Sequence, residues 1–412
     1  MRLLGILTLL VASTGGAMLL EGCLDPGEVD LDQALRLYYE NRLEEARTQF
    51  ENAVDQHPNN ARSHAWLGET YRRLGFKDEA IDAARDALRL DPCNTFGHSV
   101  IADASRTLHG SNEIAWSHLN EAISCDPLDG NVWVSIWGES VHRQDSTMWS
   151  RANRGLVESG FLTKAALDYG RWLLRTLPDS AILLTNGDMD TYPALAVQET
   201  EGLRPDVAVV ERGLLDLSWG TRFIRDHQDV ALPQPVDSLL ASWTDRRDRY
   251  ADRVTSSRQI INGWVREYIA GSFERPICLA VTVDEVFRTS LIGQWQYGGP
   301  FWVVQRDPLV RIHDTTVVKA SIDRIGIDDF EGPWVSEQDR SPVRVISTKQ
   351  LAGTITSMAL LHAEWLVEEG RFTDAQTMVG WAERFQLRTV LGPVNGQRIR
   401  NIRDYIDSRN EK

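Results

Sequence analysis

Asp188-Met189-Asp190 closes an apolar run, Ile182 to Leu184, and leads into Thr191. Two carboxylates one residue apart are hard oxygen ligands that suit Mg²⁺ or Mn²⁺, and through the metal a nucleotide-sugar diphosphate. The same letters are also turn chemistry. Asn186-Gly187 permits a left-handed turn, Asp190 stands where it can cap a helix from Thr191 to Gly202, and Pro193 suits that helix's first turn. Three readings therefore stay open: a structural turn, a site for a polar ligand or glycan, and metal-dependent catalysis. Turn and cap chemistry explains the Asn, the Gly, one Asp and the Pro with no ligand at all. It is the preferred reading, so no metal and no cofactor are expected, and an enzyme is the less favoured class.

The elements that would position these groups are short strands separated by helices. "AILLT", "DVAVVE", "RPICLAVTVDE" and "PFWVVQRD" are apolar without period-2 alternation, with helical patterns between the first three. That pattern implies a parallel sheet buried on both faces, a small Rossmann-like unit with right-handed crossovers. Ligands of such sheets bind beyond the carboxyl ends of the strands. Those ends carry Asn186, Asp188, Asp190 and Thr191, then Glu211 and Asp216, then Thr282, Asp284 and Glu285. The candidate ligand set is Asn186, Asp188, Asp190, Thr191, Glu211 and Asp284. In the enzyme reading Asp188 and Asp190 are the metal ligands, and Glu211 or Asp284 is the base. No Gly-rich phosphate loop, no Gly-x-Ser-x-Gly and no His-x-x-x-His is present, and the nine His are scattered singly.

The stretch "ILLTNGDMDTYPALAVQETEGLRPDVAVVERGLLDLSW" resembles the soluble C-terminal region of a bacterial membrane-protein family described as similar to protein O-mannosyltransferases. The family motif Thr-Asn-Gly-Asp-Asn-Asp-Thr-aromatic-Pro matches Thr185 to Pro193, with Met189 in place of its middle Asn. A Gly-hydrophobic-Arg-x-Asp-Val stretch matches Gly202 to Val207, and "RPICLAVTV" and "GQWQYGGPFWVVQ" look like later strands. The resemblance covers roughly residues 155 to 310. It does not imply transferase activity, because the multispanning half that would carry sugar transfer has no counterpart here.

A period of 34 residues runs through the region before this one. Ala34, Asn41, Ala46, Phe50, Ala53 and Pro58 recur as Gly68, Gly75, Ala80, Ala84, Ala87 and Pro92. In a third copy Ala102 keeps the offset, and Gly110, Ala115, Leu119, Ala122 and Pro127 follow one residue later. Small residues where two helices cross, a turn residue between them and a closing Pro resemble the tetratricopeptide repeat. Such repeats stack into a groove that takes a protein partner or peptide, or else brace a neighbouring domain. Ala363, Gly370, Ala375, Val379 and Ala382 repeat the internal offsets once more, without the closing Pro. A single repeat cannot bury its own face, so this one must dock on other elements.

The first residues read as an address. One Arg, an apolar stretch from Leu3 to Ala12 and then small residues fit a secretory signal, too short for a membrane span of about 20 apolar residues. Leu20-Glu21-Gly22-Cys23 resembles the bacterial lipobox, whose Cys is lipidated, although Glu21 stands where a small neutral residue is usual. In an oxidising compartment a Cys93–Cys125 disulfide is geometrically possible and buried free thiols are the alternative. A net charge of −15 argues against nucleic acid, which needs a basic surface.

The fold class is α plus α/β: N-terminal tetratricopeptide-type repeats, a small Rossmann-like parallel-sheet domain and a C-terminal repeat-like helical hairpin. The divisions are a signal peptide (1–22), a linker (23–30), three repeats (31–128), connecting helices (129–177), the α/β domain (178–325), a linker (326–344) and a C-terminal helical region (345–412). The expected function is an exported, lipid-anchored, protein-binding scaffold of the bacterial cell envelope, facing the periplasm or the surface. Secretion without an anchor, and an enzyme of glycans or nucleotide sugars, are the alternatives.

Overall fold

A computed structural model of the chain describes residues 31–106, 113–242, 256–308, 315–323, 342–388 and 396–410. The signal segment, Cys23 and Gly110 lie outside the described residues.

The chain opens with three antiparallel helical hairpins: α1 (Asp32–Tyr39) with α2 (Leu43–Gln56), α3 (Ala61–Leu74) with α4 (Lys77–Leu90), and α5 (Thr95–Ser105) with α6 (Glu113–Cys125). Local chemistry sets their ends. Asn60 and Asn94 accept the backbone N–H of Ser63 and Gly97, each at 2.8 Å, and Gly75 ends α3 at φ +89°. The small residues of the 34-residue pattern sit at the crossings: Ala46, Ala80, Ala84, Ala87, Ala115 and Ala122 are fully buried. A Cβ on Gly68 would stand 3.0 Å from the Ala80 carbonyl oxygen, which is why this position stays small.

The stack continues past the third repeat. α7 (Gly130–Arg143) and α8 (Ser146–Glu158) form a fourth hairpin, capped by Asp129 and Asp145. One aromatic or imidazole ring repeats in phase through the series. His64 Nε2 contacts the Pro58 carbonyl at 2.9 Å, His98 Nε2 contacts that of Pro92 at 3.0 Å, and Trp133 Nε1 donates to that of Pro127 at 2.9 Å. Each ring thus holds the Pro-containing turn before its helix.

The sheet has five strands in the order β2-β1-β3-β5-β4: β1 (Ile182–Thr185), β2 (Ala208–Glu211), β3 (Ile277–Ala280), β4 (Trp295–Tyr297) and β5 (Phe301–Val304). β1, β2 and β3 are parallel and almost wholly buried, as their unbroken apolar runs imply. The all-parallel expectation fails at the fourth run. "PFWVV" is β5, which lies antiparallel to β3, and β4 precedes it as the other arm of a hairpin. The reason is local: Gly298-Gly299 and Pro300 turn the chain back within three residues, leaving no room for a crossover helix. The sheet is therefore mixed.

The helices around it are α9 (Lys164–Thr176), α10 (Asp188–Glu201), α11 (Ser218–His227), α12 (Val236–Ser242), α13 (Ser256–Ile269) and α14 (Thr315–Asp323). Aromatic contacts weld the fourth hairpin to this layer, with Trp137 on Tyr192 (5.2 Å between ring centres) and Trp149 on Phe223 (5.5 Å). One small core joins α1, α2 and α3 and a second joins α4 with α5, whereas α7 and α8 share one core with the sheet. Among the described residues the repeat stack is thus an arm, braced at its α7–α8 end and outside the sheet core at its α1–α4 end.

α15 (Pro342–Glu368), α16 (Phe372–Arg388) and α17 (Gly396–Asn410) close the chain. The degenerate repeat does dock: Trp365 packs on Tyr297 at 5.1 Å, and Trp172 donates to the Ser321 carbonyl at 2.9 Å in the layer beneath. His362 is buried in this joint with no partner for Nδ1. Burial, with Arg371 adding to it, holds its pKa down at about 4. A depressed imidazole pKa stabilises the fold above the unfolded value near 6.5, and that stability is lost as pH falls toward 4. A melting series from pH 7.5 to 4 is expected to show a loss of roughly 1–2 kcal/mol that His362→Leu removes.

Candidate functional site

The chain passes from β1 through α10 to β2 on one side of β1, and then returns to place β3 on the other side. The carboxyl ends of β1 and β3 therefore flank the switch point, where such sheets bind ligands. Here the protein's own side chains bridge it. The Thr282 hydroxyl donates to the Asp190 carboxylate, Asn186 N–H donates to both Asp190 oxygens at 3.0 and 3.2 Å, and Asn186 Nδ2 donates to the Thr282 carbonyl at 3.2 Å. Thr185 and Thr191 share a hydrogen bond of 2.6 Å beneath them.

Asp190 does not cap α10 as the sequence suggests. Gly187, at φ +102°, takes the N-cap place, and the helix begins at Asp188. Asp190 is then the third helical residue and reaches back to the chain ahead of the helix, as the acid of a capping box does. Pro193 falls in the second turn rather than the first. Its carbonyl lies against α9, where a Cβ on Gly170 would stand 2.6 Å from it.

Asn186, Asp190 and Thr191 of the expected set are thus brought together, joined by Thr185 and Thr282. The backbone of Asp188 opens α10; its side chain lies outside the described residues. Glu211 influences Asp190 electrostatically, but its carboxylate accepts the Leu214 N–H at 2.9 Å and caps a 3-10 turn at Arg212–Asp216. Asp284 is exposed and caps the next such turn, Glu285–Phe287, through the Val286 N–H at 2.8 Å. Asp216 accepts from Ser257 N–H and Oγ at 2.8 and 3.0 Å, fastening α13. Among the described residues no group of three or more His, Cys, Asp or Glu side chains converges to hold a metal.

Two members of the site were not visible in the sequence. Arg212 lies 4.9 Å over the Phe287 ring and donates to Asn186 Oδ1 at 3.3 Å, so it edges the cluster from the β2 side. Tyr169, fully buried on α9, feels the Asp190 charge, and its hydroxyl has no hydrogen-bond partner. Tyr169 reaches Asp190 because α9 packs on α10, and Arg212 reaches Asn186 because β2 pairs with β1; no local pattern announces either contact.

Burial raises the Asp190 pKa to about 6, against the opposing bonds from Thr282 and Asn186. A raised carboxyl pKa means that the folded state holds the proton more tightly than the unfolded chain. Stability from this group is present below the unfolded value near 4 and is lost as pH rises through 6. Asp190→Asn is accordingly expected to melt at or above the wild-type temperature at pH 7.5 and to flatten the profile between pH 4 and 6.5. Asp190→Ala, which leaves the Asn186 N–H and the Thr282 hydroxyl unpaired, should cost about 1–3 kcal/mol.

The chain carries tetratricopeptide repeats: the family described as tetratricopeptide repeat matches residues 31–94. A second family, described as TMEM260-associated domain 2, matches residues 166–263, from α9 to α13. No curated protein matches the chain. Among solved structures the chain is similar to MamA (13% identity, TM-score 0.29, covering 52% of this chain and 98% of that one). It is also similar to TTC0263, a thermophilic TPR protein of Thermus thermophilus (17% identity, TM-score 0.30, 52% of this chain and 95% of that one). A third is from Naa15/Naa10 bound to HypK-THB (10% identity, TM-score 0.29, 89% of this chain and 50% of that one).

Proposed function

We propose that this chain is an exported, lipid-anchored scaffold of the bacterial cell envelope, whose repeat arm recruits a protein partner. The observation that carries the reading is the arm itself, with α1 to α4 outside the sheet core and the stack braced through α7 and α8. On its α1 and α3 helices Tyr39, Arg62 and Arg73 are exposed. The α/β domain, a Rossmann-like unit in this reading, orients the arm or takes a small polar ligand at the carboxyl ends of β1 and β3, around Asn186, Asp188, Asp190 and Thr191. The Cys93–Cys125 disulfide supports export, because disulfides persist in oxidising compartments. Among the described residues no helix is long and apolar enough to cross a membrane, and attachment in this reading is through the Cys23 lipid. Cys23→Ser is expected to move the protein out of the membrane fraction and to abolish palmitate labelling. An unlabelled wild type with unchanged fractionation would remove the anchor.

The second reading, an enzyme of glycans or nucleotide sugars, has one observation in its favour: a buried carboxyl of pKa about 6 at the switch point, the kind of perturbed group that active sites contain. Its signature is a rise in melting temperature with Mn²⁺ or Mg²⁺ that Asp188→Asn abolishes.

A further inference from the structure

Between α5 and α6 of the third repeat, His98 and His118 face each other with their Nδ1 atoms 2.8 Å apart. His98 Nε2 lies 3.0 Å from the Pro92 carbonyl, which can only accept, so that nitrogen carries the proton and Nδ1 is a bare lone pair aimed at His118. Backbone-carbonyl anchoring of the far ring nitrogen is how metal-binding histidines are commonly oriented. The Cys93–Cys125 disulfide ties the start of α5 to the end of α6, with Cα atoms 5.4 Å apart, and so limits how far the two rings can separate.

We propose that His98 and His118 form a two-histidine chelate for a divalent cation of the copper(II) or nickel(II) class. At a metal–nitrogen distance of about 2.0 Å, a 2.8 Å separation subtends roughly a right angle. That is the angle of adjacent ligands in tetragonal copper and nickel sites; tetrahedral zinc needs the nitrogens about half an ångström further apart. Binding shifts His118 to its other neutral tautomer: the proton that bridges the two Nδ1 atoms passes through solvent to His118 Nε2, so both Nδ1 lone pairs face the ion and no proton is lost. His118 is only half-buried, so the ion has access. Glu121, one turn along α6, favours a cation there electrostatically, and Arg85 on α4 opposes it. Among the described residues no third protein ligand converges, so water or a partner's side chain fills the remaining positions.

The previous repeat supplies the control. His64 makes the same contact to Pro58, but Ala83 stands where His118 would be. Calorimetric titration of nickel(II) and copper(II) into the oxidised full chain is expected to give one site. His118→Gln should weaken it at least tenfold with circular dichroism unchanged, and His64→Gln should leave it intact. The proposal fails if wild type shows neither heat of binding nor a shift in melting temperature, or if His118→Gln binds as wild type does.

Discussion

Glu69→Ala is expected to cost about 3 kcal/mol and to unfold the repeat arm ahead of the rest of the protein. Glu69 lies nearly buried on α3 and accepts three hydrogen bonds: from Tyr38 Oη at 2.7 Å, from Arg72 Nε at 2.6 Å and from Arg72 Nη2 at 2.7 Å. The arrangement then repeats across the stack. Asp103 and Arg106 recur 34 residues after Glu69 and Arg72 and pair at 3.2 Å, and Arg106 reaches the buried Glu139 of α7 at 3.4 Å. Polar and charged groups thus run in series from α1 to α7, linking the first helices of all four hairpins. Removing one carboxylate leaves Arg72 half-buried without its closest counter-charge, and that uncompensated charge is the source of the loss. Replacing both charged partners, Glu69→Leu with Arg72→Leu, should recover part of it, the Tyr38 hydroxyl still losing its Glu69 acceptor. Because α1 to α4 pack on two small cores separate from the one that α7 and α8 share with the sheet, urea unfolding should split into two transitions, with only the earlier one shifted.

Gly170→Val should be worse, about 3 kcal/mol or more, and should affect the later transition. Even a single Cβ at Gly170 meets Pro193 O at 2.6 Å, Pro193 C at 2.7 Å and Ala194 N at 3.0 Å, all backbone atoms that cannot rotate away. Forcing α9 from α10 opens the core around Tyr169 and displaces the helix that presents Asp190. Overpacking usually costs about 1–3 kcal/mol, and a backbone contact at a buried helix crossing belongs at the top of that range or beyond. Thermal melts followed by far-ultraviolet circular dichroism give the comparison, with Gly353→Ala, where no atom stands within 4 Å of the added carbon, as the mild control.

The repeats were legible because their signal is steric: a crossing that admits only Ala or Gly forces small residues to recur at a fixed spacing. The same logic reached the degenerate C-terminal repeat, while the three parallel strands were legible by a different signal, apolar runs without alternation. It missed the fourth hairpin, where Trp133 and Trp137 stand at positions that hold His98 and Ala102 in the third repeat, since large rings hide the small-residue pattern. The in-phase signal there was polar, Asp129 following Asn94 and Trp133 following His98. The Glu69–Arg72 and Asp103–Arg106 recurrence is equally present in the sequence, at the same 34-residue offset.

At the strand ends, residue types gave the cluster but not its geometry. Asn186, Asp190 and Thr191 do meet, yet Asp190 serves as the third residue of α10 because Gly187 accepts the left-handed backbone and starts the helix early. Glu211 and Asp284 are each committed to a neighbouring turn. The antiparallel β4–β5 hairpin depended on reading Gly298-Gly299-Pro300 as a reversal rather than as a loop between parallel strands.

Site-specific photo-crosslinking in intact envelopes tests the central claim most directly, with the probe placed at Tyr39 on α1 and, as a control, at exposed Asp82 on α4. The scaffold reading predicts a discrete protein adduct from Tyr39, absent from Asp82 and lost when Arg62 and Arg73 beside it are reversed to Glu. Equal labelling from both positions, or no adduct from Tyr39 at native expression, would contradict it.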